Sequence, residues 1–179
     1  MGFFRRLLGR GPRVPADTLG ILDLSGGTVA GLMTADRAAL APLFRRVSES
    51  NDAPPRSTLL LVYCTIAADG AILNSRRGLR EIIRDAGAPV VIVATPNPGR
   101  SYTVAANRNK QVARANLVMT LDRNGEAFTR FFQRLVGDMK QGTSMPRAWV
   151  KLAPQVPRGT HPDCPEAIFT CELGQLAFS

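Results

Sequence analysis

Cysteine, histidine and long apolar runs are all scarce in this chain. The 179 residues include three cysteines and one histidine. Cys64, Cys164 and Cys171 are too few and too scattered for a disulfide-stapled secreted scaffold. No stretch approaches the ~18–20 apolar residues that cross a bilayer. Residues 1–10 lack the apolar centre of a secretory signal, so a reducing cytoplasm is the expected compartment. A G-x-G-x-x-G turn and a G-x-x-x-x-G-K-[ST] loop are both missing, and no nucleotide or other cofactor is expected. His161, Cys164 and Cys171, with Cys64 as a remote fourth, lack the paired C-x-x-C hairpins of a zinc site. No metal is expected either.

What the chain does have is an ordinary globular composition, 45% apolar, with a formal net charge of +9. Its length suits one domain with its own core. Dividing the charge makes it informative. Residues 1–13 carry four arginines and no acid, giving +4. Residues 14–99 hold eight basic and eight acidic side chains and sum to zero. Residues 100–134 carry seven basic side chains against Asp122 and Glu126, giving +5, and residues 135–179 balance four against four. The excess therefore sits at the N-terminal tip and in one internal segment, not spread as a solubility charge.

Hydrophobic patterning gives the order of elements. Thr18 to Ser25 reads as a buried strand ending in Gly26-Gly27. Leu40, Leu43, Phe44 and Val47 fall at helical spacing, with Pro42 forcing a kink or a restart. Ser57 to Ile66 is an apolar run of strand length, followed by a loop over residues 67–74. Ser75 can cap a helix striped by Leu79, Ile82, Ile83 and Ala86, and Gly87 can end it in the left-handed conformation. Pro89 to Thr95 is a second buried strand, which makes residues 57–95 a parallel βαβ unit. Asn116 to Leu121 reads as a further strand, and residues 126–140 as an amphipathic helix with Phe128, Phe131, Phe132, Leu135, Val136 and Met139 on one side. Residues 148–153 and 167–178 read as edge strands or a terminal hairpin. The architecture expected is a three-layer α/β/α sandwich with a mainly parallel sheet, spanning residues 17–179 after an arm at 1–16.

Ligands of open parallel sheets gather at the carboxyl ends of the strands. Gly26 and Gly27 stand at one such end, Cys64 at another and Asn97 just beyond a third. A thiol at a strand end is a candidate nucleophile when a base is near, and His161 is the only imidazole available. Cys64 as a small apolar strand residue is the blander alternative.

The stretch LLLVYCTIAADG…GLREIIRDAGAPVVIVAT, residues 59–95, resembles the CHAT domains, bacterial relatives of the caspases. Gly78-Leu79 through Ala86-Gly87-Ala88 matches the family's G-L-x-x-x-x-x-x-A-G-A helix, and Cys64 falls at the nucleophile position. The Phe131-Phe132-x-x-Leu135 helix and a Trp149-containing strand resemble the family's C-terminal part. The likeness implies a caspase-like fold, shortened at the N-terminus because 17 residues precede the first strand. Family peptidases place a His-Gly at the end of the preceding strand. Here Gly26-Gly27 takes that place and no histidine precedes Cys64. The resemblance therefore implies a catalytically silent relative, acting as a signalling or protein-interaction domain.

Two basic segments offer docking surfaces. In residues 1–13, Phe3 and Phe4 lie beside Arg5 and Arg6, a short amphipathic patch suited to a partner or an anionic membrane surface. Residues 98–116 hold Arg100, Tyr102, Arg108, Lys110 and Arg114 with no acid and should overhang the strand ends. Charge focusing there would attract an acidic ligand, a phosphate or an acidic protein surface, and a protein partner with an acidic surface is the one expected. Nucleic acid is the weaker expectation, since the segment has one aromatic and no reading module. Three readings follow: a non-catalytic interaction domain, a cysteine hydrolase using Cys64 with His161, and a peripheral binder of the inner membrane or of nucleic acid through residues 1–13 and 98–116.

Overall fold

The computed structural model describes residues 11–123, 125–153 and 165–179. A six-stranded sheet forms the middle layer. Its strands are β2 (Thr18–Asp23), β3 (Arg46–Ser50), β4 (Leu59–Tyr63), β5 (Val90–Val93), β6 (Asn116–Asp122) and β7 (Glu166–Cys171). They lie side by side in the order β3-β2-β4-β5-β6-β7, all parallel except β7, which runs antiparallel to β6. The central strands are apolar throughout because both faces are covered, as parallel sheets require.

Period-two alternation divides the core in two. Leu59, Leu61 and Tyr63 of β4 face one layer, with α1 (Ala30–Leu40), α4 (Glu126–Lys140) and α5 (Met145–Leu152) packed over it. Leu60, Val62 and Cys64 face the other, covered by α2 (Leu79–Ala86) and α3 (Gly99–Asn107). The three-layer α/β/α sandwich is as expected. A small second sheet pairs β1 (Arg13–Val14) with β8 (Ala177–Phe178) in parallel. Residues 13–16, placed in the N-terminal arm from sequence, thus belong to the body: Ala16 is buried in the core.

The βαβ unit forms as expected, with one correction at its helix start. The N-cap of α2 is Gly78, whose N–H donates to Glu81 Oε2 at 2.6 Å. Ser75 instead closes a turn, its Oγ accepting the Arg77 N–H at 3.0 Å. Gly87 ends α2 at φ +60°, a left-handed cap that glycine enters without steric cost.

Three stretches differ, at least in part, from the sequence reading. Leu40 ends α1, a short 3-10 turn over Ala41–Leu43 carries Pro42, and the chain then extends into β3. Leu40 and Phe44 are buried together across that break, so their spacing marks a shared core side but not one helix. Two parallel strands, not one, precede the Cys64 strand. Residues 145–152 form helix α5, not an edge strand: Met145, Ala148, Trp149 and Leu152 repeat at i, i+3, i+4 and i+7 on α4. Trp149 lies edge-on to Phe131 at 4.9 Å and stacks on Phe169 at 4.8 Å. Residues 167–178 supply an edge strand, as one of the two readings expected, since β7 closes one side of the sheet; they are no hairpin, since β7 pairs with β6 and β8 with β1.

Candidate functional site

The carboxyl ends of β4 and β5 meet at Cys64, and side chains from the β5–α3 stretch close over it. Thr95 Oγ1 accepts the Cys64 N–H at 2.9 Å and donates to the Cys64 carbonyl at 2.6 Å. Asn97 Nδ2 donates to the same carbonyl at 3.1 Å, while its Oδ1 accepts the Ile66 N–H at 2.7 Å. Tyr102, on the first turn of α3, donates its hydroxyl to the Thr95 carbonyl at 2.8 Å. The strand ends are stitched together in place of an open cleft. Cys64 is fully buried between Leu60, Val62 and the α2–α3 layer. Burial pushes its thiol up to about 12 from 9.0, because a thiolate there would lose its hydration.

On the opposite face the edge is closed by a buried ion pair that sequence reasoning missed. Asp36 of α1 is fully buried and accepts from Arg123 Nη1 at 2.7 Å and Nη2 at 2.6 Å. Tyr63 and Thr129 each donate a hydroxyl to the same carboxylate at 2.7 Å. The guanidinium of Arg123 lies 3.9 Å over the Phe128 ring, and its Nη1 also reaches the Ala94 carbonyl at 3.2 Å. One bidentate pair thus ties α1, the ends of β4 and β5, and the start of α4. A signal for it existed: Asp36 falls four residues before Leu40, on the buried stripe of α1, where an unpaired carboxylate is very costly.

The expected docking residues separate into two groups. Tyr102 and Asn97 are buried and spend their polar atoms inside the fold, so they are corrected from binding residues to parts of the strand-end network. Arg100, Arg108, Lys110 and Arg114 are exposed, on α3 and the turn after it. Lys110 lies 3.8 Å from Glu172, and Lys110, Gln111, Arg114 and Glu172 line an open depression of about 590 Å³. Gly26 and Gly27 form an exposed turn after β2, with φ of +69° and +84°. Cys64 itself is a core residue, which agrees with its reading as a small apolar strand residue and not with a partly exposed thiol. His161, its proposed base, lies outside the described residues, as do Cys164, Phe3, Phe4, Arg5 and Arg6. Cys171 is a free thiol, exposed at the end of β7.

Glu172 deserves its own account, since it fixes the basic turn to the sheet. Arg80 of α2 binds it bidentately at 2.7 Å for both contacts, and the Ala115 N–H donates to it at 3.2 Å. Burial alone would raise this carboxyl. The hydrogen bonds from Arg80 and Ala115, with the charges of Arg80 and Lys110, outweigh it and hold the group below its ordinary range.

These features define an α/β/α domain whose strand ends are closed by its own hydrogen bonds and whose exposed cations lie beside them. Comparison with known families, curated proteins and solved structures finds no match for the chain. Among the described residues no helix is long and apolar enough to cross a membrane.

Proposed function

We propose that this domain is a non-catalytic, CHAT-like interaction module that holds an acidic protein surface against Arg100, Arg108, Lys110 and Arg114. The observation that carries the reading is the burial of Cys64. A nucleophile must reach its substrate as thiolate, and this sulfur is solvent-excluded, raised in pKa and fixed between two latched strands. The frame that resembles a peptidase is kept while the place of its reaction is filled. Function then moves to the surface, where the α3 turn presents cations in excess of acids.

Affinity capture from the source cells, followed by reconstitution with the purified partner, tests this. Arg100→Glu, Lys110→Glu and Arg114→Glu combined should weaken the reconstituted complex about tenfold or more, and wild-type affinity should fall with added salt. Unchanged affinity after the triple reversal refutes the surface. Peptide hydrolysis that is lost in Cys64→Ala refutes the non-catalytic reading.

A further inference from the structure

A second, more enclosed feature lies between the 70–81 stretch and the C-terminal end of α3, a cavity of about 260 Å³. Arg76, Arg77, Arg80 and Arg108 line it against one carboxylate, Glu81. Two of the four cations are already matched. Arg80 is bidentate to Glu172, and Arg77 lies 3.3 Å from Asp85 and 3.7 Å from Asp52. Glu81 is engaged at the helix start by the Gly78 N–H. The side chains of Arg76 and Arg108 are exposed and have no hydrogen bond or ion pair among the described residues. Two uncompensated guanidinium groups, one from each wall, therefore share the same hollow.

The walls are built, not incidental. Gly70, at φ +80°, lies so close to α3 that a Cβ there would sit 2.8 Å from the Ala105 nitrogen, so only glycine lets the loop seat against the helix. The Ser75–Arg77 turn fixes the backbone on either side of Arg76. The volume lies below the 300–1,000 Å³ of drug-sized sites and suits one compact charged group. A single carboxylate would be satisfied by one guanidinium. A phosphate monoester, with about −1.5 to −2 charge at neutral pH and three acceptor oxygens, matches two guanidinium forks.

We propose that this cavity binds a phosphate monoester group, held by Arg76 and Arg108. Its source is either a small phosphorylated metabolite or a phosphorylated side chain, and the chemistry of capture is the same. This site does not depend on the interaction reading, which is tested at residues that leave the cavity intact.

Titration of the full chain with inorganic phosphate at low ionic strength, followed by calorimetry and phosphorus NMR line broadening, tests it. Saturable one-to-one binding is expected that chloride at equal ionic strength does not reproduce. Arg76→Gln with Arg108→Gln should weaken it about tenfold or more, whereas Lys110→Gln with Arg114→Gln, an equal loss of charge outside the cavity, should change it less than about threefold. Neither side chain has a partner among the described residues, so matching thermal melts should accompany the loss. Equal weakening by both pairs, or no saturable binding by wild type, overturns the site. A phosphoserine peptide binding about tenfold tighter than phosphate assigns the source to a side chain, and equal affinity assigns it to a small molecule.

Discussion

At Cys64, chemistry is decided by desolvation rather than by position. A pKa of about 12 in place of 9.0 leaves roughly a thousandfold less thiolate at neutral pH, on top of the steric exclusion. Iodoacetamide on the native protein should therefore modify the exposed Cys171 while leaving Cys64 unmodified, and denaturation in urea should bring both to similar extents. Peptide mass spectrometry reads each site separately. Native labelling of Cys64 within tenfold of the Cys171 rate would contradict the closed edge. The position of Cys64 at a strand end could be read from the sequence. Its burial agrees with its reading as a small apolar strand residue, but the network over its backbone was not legible, because Thr95 and Asn97 come 31 and 33 residues later. Tyr102 illustrates the same limit. A tyrosine in a basic segment looks like a contact residue until the helix turns it inward onto the Thr95 carbonyl.

Between elements, the Asp36–Arg123 pair is the strongest polar tie on its face. Its side chains are 0% and 3% exposed, so each charge depends on the other for what water would have supplied. Asp36→Asn leaves Arg123 buried without its counter-charge and should cost about 3–5 kcal/mol by urea unfolding. Asp36→Leu with Arg123→Met should cost less than Asp36→Leu alone, since both leave the Tyr63 and Thr129 hydroxyls without that acceptor but only the single variant also leaves a buried charge unpaired. A double variant as unstable as the single one would mean that the pair's worth lies in its geometry, not in mutual compensation. Helix α2 and strands β4 and β5 were readable from sequence because stripe, cap and apolar run agree there. The 40–47 stretch misled because a helical spacing survived across a 3-10 turn that Pro42 imposes. Helix α5 misled for the opposite reason. It is eight residues long, too short for its i, i+3, i+4, i+7 stripe with Pro146 in the first turn to stand out from an apolar run of strand length.

Over the whole molecule, the two halves of the pH range act through different groups. Below neutrality Glu172 responds. Its pKa is held down in the fold, so its contribution is present above the ordinary carboxylate range and fades as pH falls. On the alkaline side three buried groups act together. Cys64, Tyr63 and Tyr102 are all raised above their ordinary values of 9.0, 10.0 and 10.0, chiefly by desolvation, with the Asp36 charge adding to Tyr63. The folded chain keeps these three protons where the unfolded chain releases them. Their stabilisation is therefore complete below about pH 9 and is lost as pH rises, by up to about 1.4 kcal/mol per pH unit for each group fully ionised in the unfolded state. Urea midpoints measured from pH 7.5 to 11 should stay level at first and then fall with increasing steepness. Tyr63→Phe with Tyr102→Phe removes two of the three titrations, so its midpoint should be lower at pH 8, through lost hydrogen bonds, yet decline more shallowly above pH 10. Parallel curves for the two proteins would show that these hydroxyls do not control the alkaline limb. The prediction belongs to the whole fold because the two hydroxyls serve opposite layers, Tyr63 the α1–α4 side and Tyr102 the α2–α3 side. Ionising either one would place a charge at the sheet edge that is otherwise closed by neutral hydrogen bonds on one face and a compensated ion pair on the other, so loss of stability and opening of that edge should coincide.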